Sequence, residues 1–119
     1  MRNIQVTKIF DAETIAASGS SSSSEIRLNN MRGYFSLQLE ITGDGTATVE
    51  YQLSNDGSTF LEPTSAGDIT SGFTKTSGPG SDGKDIFTIR PEIARRMKVV
   101  VTETGGADTI TVNAYLAVQ

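Results

Sequence analysis

Two stretches of strict hydrophobic–polar alternation dominate the chain. From Tyr34 to Thr42, Phe35, Leu37, Leu39 and Ile41 alternate with Ser36, Gln38, Glu40 and Thr42. From Thr46 to Ser54, Ala47, Val49, Tyr51 and Leu53 alternate with Thr48, Glu50 and Gln52. A period of two places all the apolar side chains on one face of an extended strand. Gly43-Asp44-Gly45 between them has hairpin length, so the two strands are predicted to pair as an antiparallel hairpin. A second pair is predicted near the C-terminus. Met97, Val99 and Val101 alternate with Lys98 and Thr102, and Val100 implies cover on the second face. After a turn from Glu103 to Asp108, Ile110, Val112, Ala114, Leu116 and Val118 point inward against Thr111, Asn113, Tyr115 and Ala117.

Weaker strand signals cover residues 5–10, 25–28 and 85–90, the last with either Phe87 and Ile89 or Ile86 and Thr88 inward. Short strands are also expected at 14–17 and 69–73. About seven or eight short strands joined by Gly/Ser/Asp turns predict an all-β fold, an antiparallel β-sandwich of jelly-roll or Ig-like type. The long loops 54–66 and 70–83 suit crossings between sheets. Pro91 to Arg96 is the one helical candidate, a single turn at a corner with Ile93 and Met97 inward. One domain of 119 residues is expected. Ser18 to Ser24 reads as an exposed loop or frayed edge strand; the alternative is an N-terminal arm, residues 1–17 with the Ser-rich run behind it, that reaches a neighbouring subunit.

Composition narrows the chemistry. The chain holds no Cys, His or Trp, which removes disulfides, imidazole and thiolate ligands, and every Ser-His or Cys-His mechanism. Ser, Thr and Gly supply 40 of the 119 residues, which favours strands and turns over helices. The net charge of −4 argues against nucleic acid or an anionic membrane as partner, since both want a basic face. Residues 1–6 lack the apolar segment of a signal peptide, so synthesis in the cytoplasm is expected.

The remaining motifs offer little catalysis. Gly78 to Lys84 has the spacing of a phosphate loop, but Asp85 stands where a magnesium-binding Ser or Thr belongs, and a strand follows instead of a helix. Glu40 and Glu50, expected to face each other on the hairpin, have no burial to set an acid against a base. No enzyme and no cofactor are expected; a structural calcium ion at the Asp-Gly loops, among Asp56, Asp82, Asp85 and Asp108, is the one ion reading. Arg95, Arg96 and Lys98 form a basic cluster read as a subunit contact. Tyr34, Phe60 and Tyr115 are the aromatic side chains from which a ligand platform for sugars could be built.

The run Phe35 to Gly43, followed by Val49 to Phe60 with its Ser54-Asn55-Asp56-Gly57, resembles the small β-sandwich virion proteins of tailed bacteriophages. The corner Pro91-x-x-Ala94-Arg95, the strand Met97 to Val101 and the Thr-rich strand Thr109 to Leu116 extend the resemblance over residues 25–118. It implies a head-decoration or tail-accessory protein of the virion, oligomeric, with itself and capsid or tail proteins as partners and no catalytic residues. Carbohydrate-binding modules and adhesins share the Ser-x-Asp-Gly-x-aromatic pattern and are the alternative. Phe60 stands where their Trp is common.

Overall fold

The computed structural model describes residues 4–28, 33–64 and 67–119. Met1 to Asn3, and with them the start of the expected arm, lie outside the described residues, as do Ser65 and Ala66 of the loop expected over 54–66. Nine strands occur among the described residues: β1 (Gln5–Ile15), β2 (Ser20–Ser22), β3 (Ile26–Arg27), β4 (Phe35–Thr42), β5 (Ala47–Ser54), β6 (Thr70–Phe73), β7 (Lys84–Ile89), β8 (Arg96–Glu103) and β9 (Ile110–Val118). They form two antiparallel sheets of order β1-β9-β4-β7 and β2-β8-β5-β6, with β3 continuing the edge beside β8. The two sheets face each other as a sandwich, as expected. Each strand of the first sheet is followed or preceded in sequence by one of the second: β1 by β2, β4 by β5, β6 by β7, β8 by β9. This alternation is the jelly roll.

The topology corrects the pairing expected for the two alternating stretches. β4 pairs with β9 and β7, and β5 pairs with β8 and β6, so β4 and β5 are not a hairpin. β8 and β9 likewise lie in different sheets. In both cases the short Gly-containing turn carries the chain from one sheet to the other. The reason is that Leu37, Leu39 and Ile41 and their counterparts Ala47, Val49 and Tyr51 bury best against each other across the sandwich. A hairpin would have laid all of them on one side of one sheet. Glu40 and Glu50 therefore belong to opposite sheets. The crossing expected over 70–83 is real, at residues 74–83, but residues 55–69 join two neighbours of the same sheet.

Inside, the predicted faces hold. Phe35, Leu37, Leu39 and Ile41 of β4, Met97, Val99 and Val101 of β8, and all five inward residues of β9 are buried. In β7 it is Phe87 and Ile89 that turn inward, while Ile86 stays exposed. Val100 is also buried, on the outer face, where it pairs with Ser22 and Glu50. The two early strands expected at 5–10 and 14–17 are one strand, β1, hydrogen-bonded to β9, with register shifts around Phe10 and a positive φ at Ala12. The Ser-rich run contributes the edge strand β2. Pro91 to Arg95 makes the sheet-to-sheet corner without helix, and Ile93 points out of it, fully exposed, contrary to the expectation that it packs inward.

Four crossings meet at one end of the sandwich, and a carboxylate ties three of them. Glu103, expected to begin a turn, is the last residue of β8 and only 1% exposed. Its Oε2 accepts from the N–H of Thr46 (2.8 Å) and of Gly105 (2.8 Å); its Oε1 accepts from Ser18 (3.0 Å) and Gly106 (2.8 Å). Ser18 belongs to the β1–β2 crossing, Thr46 to β4–β5, and the glycines to β8–β9. Gly45 is required here, because a Cβ would stand 2.7 Å from Ile110 and 3.0 Å from the carboxylate. Those four N–H bonds, Thr46 first, hold the Glu103 carboxyl at about 2, against an ordinary 4.5. The fourth crossing joins through the Lys75–Asp44 ion pair and the Ile41 N–H to Gly83 O bond of 2.8 Å.

Glu103→Gln keeps the volume but replaces one acceptor oxygen by a donor facing N–H groups. Thermal unfolding at pH 7 should show a Tm loss on the order of 10 °C, because buried donors lose their partner. The folded carboxyl titrates below the unfolded one. Its contribution is therefore fully present above about pH 4.5 and lost as pH falls towards 2, a slope the variant should lack. Gly83→Ala is expected to destabilise by about 2 kcal/mol or more in denaturant melts. Gly83 has φ +76°, and a Cβ would lie 2.5 Å from Ile41 O.

Candidate functional site

The opposite end of the sandwich is built from the loop after β5 and the corner before β8. Ser54 and Asp56 organise the loop. The Asp56 Oδ1 accepts from the Ser54 hydroxyl (2.9 Å) and the N–H groups of Ser58 and Thr59 (2.8 Å each), and the Gly57 N–H donates to Ser54 Oγ (2.9 Å). The Thr59 and Ser58 amides are the main reason the Asp56 carboxyl sits at about 2. This is the Asx geometry that a Ser-Asn-Asp-Gly run favours. The corner is pinned to it, since the Arg95 N–H donates to Ser54 O and Asn55 Oδ1, both at 3.2 Å. Leu61 folds back onto Leu53 through two backbone bonds of 2.8 and 2.9 Å.

Between loop and corner lies an open cleft of about 470 Å³, with Leu53, Leu61, Pro63, Ile93 and Ala94 on its walls. A second cleft of about 360 Å³ opens on the other side of Ile93, against Leu28, Phe35 and Pro91. Ile93 thus stands as an isolated apolar knob between two hollows, and Leu61 beside it is 65% exposed.

The predicted basic cluster borders this end but divides by partner. Arg95 is exposed, and its guanidinium donates to the Asn55 carbonyl at 3.4 Å. Arg96 makes an ion pair with Glu25 at 2.6 Å, and Lys98 lies 4.3 Å above the centre of the Phe60 ring. The three aromatic residues of the expected platform are not brought together. Tyr34 and Tyr115 belong to the β1-β9-β4-β7 side, under Arg90 (5.5 Å) and Lys8 (5.3 Å) respectively, and Phe60 lies in the loop after β5, under Lys98 of the other sheet. A cation covers each ring, as cation–π contacts do.

The aspartates considered for calcium are also dispersed. Asp56 caps its own loop at one end; Asp82 and Asp108 lie in crossings at the other, and Asp85 is on β7. A different acidic group does form: one carboxylate oxygen from each of Glu50, Glu62 and Asp68 lies within 4.8 Å of the others on the outer face of the β2-β8-β5-β6 sheet. Burial, then the charges of Glu62 and Asp68, pushes the Glu50 carboxyl up. Sequence spacing could not show this, since among the described residues the return to β5 is made by the Leu61–Leu53 and Ile69–Val49 backbone contacts, which the local sequence does not signal.

No protein-family model and no curated protein sequence matches the chain. Its fold does have known counterparts. The chain superposes on VP2 of infectious bursal disease virus, from a subviral particle, with a TM-score of 0.56 at 12% identity, over 98% of this chain and 32% of the viral one. PliG of Aeromonas hydrophila, a periplasmic inhibitor of g-type lysozyme, superposes with a TM-score of 0.51 at 10% identity, over 98% of this chain and 86% of that one. The SPBc2 prophage-derived protein YomS matches at 0.48 and 15% identity, over 97% of this chain and 93% of its own. The chain spans about a third of the viral chain's length. At these identities the likeness is one of fold.

The acidic group has a measurable consequence. A carboxyl raised in the folded state weakens stability as pH rises through its titration, so removing a neighbouring charge should help at neutral pH and do nothing once the group is protonated. In thermal melts of dilute protein, Glu62→Gln is expected to raise Tm by about 1–3 °C at pH 7 and to leave it unchanged near pH 3.5.

Proposed function

We propose that this chain is a non-enzymatic structural subunit of a phage particle, a jelly roll that seats on the capsid or tail lattice as a decoration or accessory protein. It is made in the host cytoplasm and located in the virion. The observation that carries the reading is the end of the sandwich where Ile93 and Leu61 stand exposed beside two clefts. The resemblance of the Ser54-to-Phe60 run and the Pro91 corner to phage sandwich proteins supports it, because those two segments build this end. The fold shared with a viral particle protein agrees with it.

The physical scheme is simple. The crossing end is rigid and closed around Glu103, while the other end presents an apolar knob and hollows on a corner pinned by Asn55 and Ser54. Little ordering is left to do on contact, so burial of the knob goes into affinity. Fully covering one isoleucine is worth about 1.5–3 kcal/mol, and a lattice repeats that gain at every subunit.

The test is co-sedimentation of purified protein with phage heads and tails that lack it. Ile93→Asp and Leu61→Asp are expected to weaken binding by roughly tenfold or more each while leaving Tm within about 2 °C, since both side chains are exposed. Binding to neither particle by the parent protein would sink the reading. Retention on a polysaccharide column, lost with Phe60→Ala or Tyr34→Ala, would replace it by a carbohydrate-binding module.

A further inference from the structure

The outer face of the β2-β8-β5-β6 sheet is divided by charge. Outward positions on β3 and β8 carry Arg27, Arg96 and Lys98, and Arg27 pairs directly with Arg96. Outward from β5, and from the segment 61–69 beside it, Glu50, Glu62 and Asp68 crowd together. The centre is flat and small: Thr48 pairs with Thr102, Ser20 with Thr102, and Ser22 with Val100. Of the three cations, only Arg96 has a carboxylate partner, Glu25, among the described residues. The acidic three have no cation partner among them either. One half of the face thus lacks what the other half offers, yet within one copy the fold keeps them apart.

We propose that this face is a two-fold interface between two copies of the chain. A two-fold axis parallel to the strands, between β5 and β8, keeps each residue at its own height and exchanges the two halves. The partner's β8 then lies over β5. Lys98 is level with Gln52 and two residues from the height of Glu50, within reach of a long flexible side chain. Such an interface is isologous, so acid meets base twice, once on each side of the axis. The crowded carboxylates, with Glu50 already pushed toward its protonated form, gain the counter-charge they lack. Two strands of eight residues, β5 and β8, with the shorter β2, β3 and β6 beside them, cover about 400 Å² in plan, which is the size of a weak, charge-driven contact. The dimer is therefore expected in the micromolar range and sensitive to salt. It leaves the Ile93 end unoccupied and does not depend on lattice docking.

Sedimentation equilibrium at 50 and 500 mM NaCl tests it with charge reversals. The parent chain is expected to dimerise at the lower salt and to weaken about tenfold or more at the higher. Glu62→Lys alone and Lys98→Glu alone should each be monomeric at concentrations where the parent pairs. An equimolar mixture of the two should recover the dimer, because in the mixed pair the reversed charges meet on one side of the axis and the original Lys98 and Glu62 meet on the other. Melting curves of each variant establish that it is folded. A parent chain that stays monomeric at millimolar concentration, reversals that leave association unchanged, or a mixture that fails to recover it would each overturn the proposal. So would a dimer that disappears with EDTA, which would make the acidic group a cation site.

Discussion

The Glu103 carboxylate is where this sandwich is locked. A jelly roll sends its chain back and forth between two sheets, and each crossing exposes backbone N–H groups at the end of the core. Three of the crossings here turn their N–H groups inward onto one carboxylate, which accepts two bonds on each oxygen. A carboxylate has about four acceptor sites, so none is left over and no fifth donor is needed. An ionised group can be held at 1% exposure only on these terms. Its consequence reaches beyond the end of the core. Because Ser18, Thr46 and Gly106 are fixed relative to one another, the strands that leave those turns enter both sheets in fixed register.

That lock explains how the molecule divides its ends. The crossing end is closed by Glu103, by the Lys75–Asp44 pair and by backbone bonds such as Thr104 N–H to Thr46 O at 2.9 Å. The far end is held by smaller local devices, chiefly the Ser54–Asp56 turn and the Arg95 contacts, and they leave Ile93 and Leu61 uncovered. The outer faces separate roles in the same way. The β1-β9-β4-β7 sheet carries two aromatic rings under cations, and the β2-β8-β5-β6 side carries Arg27 and Lys98 and the Glu50, Glu62 and Asp68 group, none with an ion-pair partner among the described residues.

Much of the strand content was legible in the chain. Alternation placed β4, β5, β8 and β9 to within a residue or two and identified which side of each is buried, because period two leaves only one way to hide the apolar set. The Pro91 corner was legible as a corner. What could not be read was the partner of each strand. Gly43-Asp44-Gly45 looks like a hairpin turn because its length permits one, yet the same length serves a crossing. The choice belongs to the core, where β4 and β5 pack face to face, and no local signal carries it. Ile93 illustrates the same limit. Its apolar character suggested burial, but the corner that holds it is oriented by Asn55 and Ser54, which lie about 40 residues earlier in the chain.

Local chemistry, then, was determined by the sequence alone: an all-β chain without thiol, imidazole or indole, its Thr and Ser on strands and turns, its strand faces assigned. The tertiary structure decided everything that depends on contacts distant along the chain. It turned two expected hairpins into sheet crossings, converted Glu103 from a turn residue into the buried anchor of three loops, and dispersed the aromatic and aspartate groups. It also drew Glu50, Glu62 and Asp68 together from separate segments. The physical reason is common to all of these. Alternation is set by the backbone's own period, whereas pairing is set by which apolar faces fit across the core and which buried polar groups find partners there.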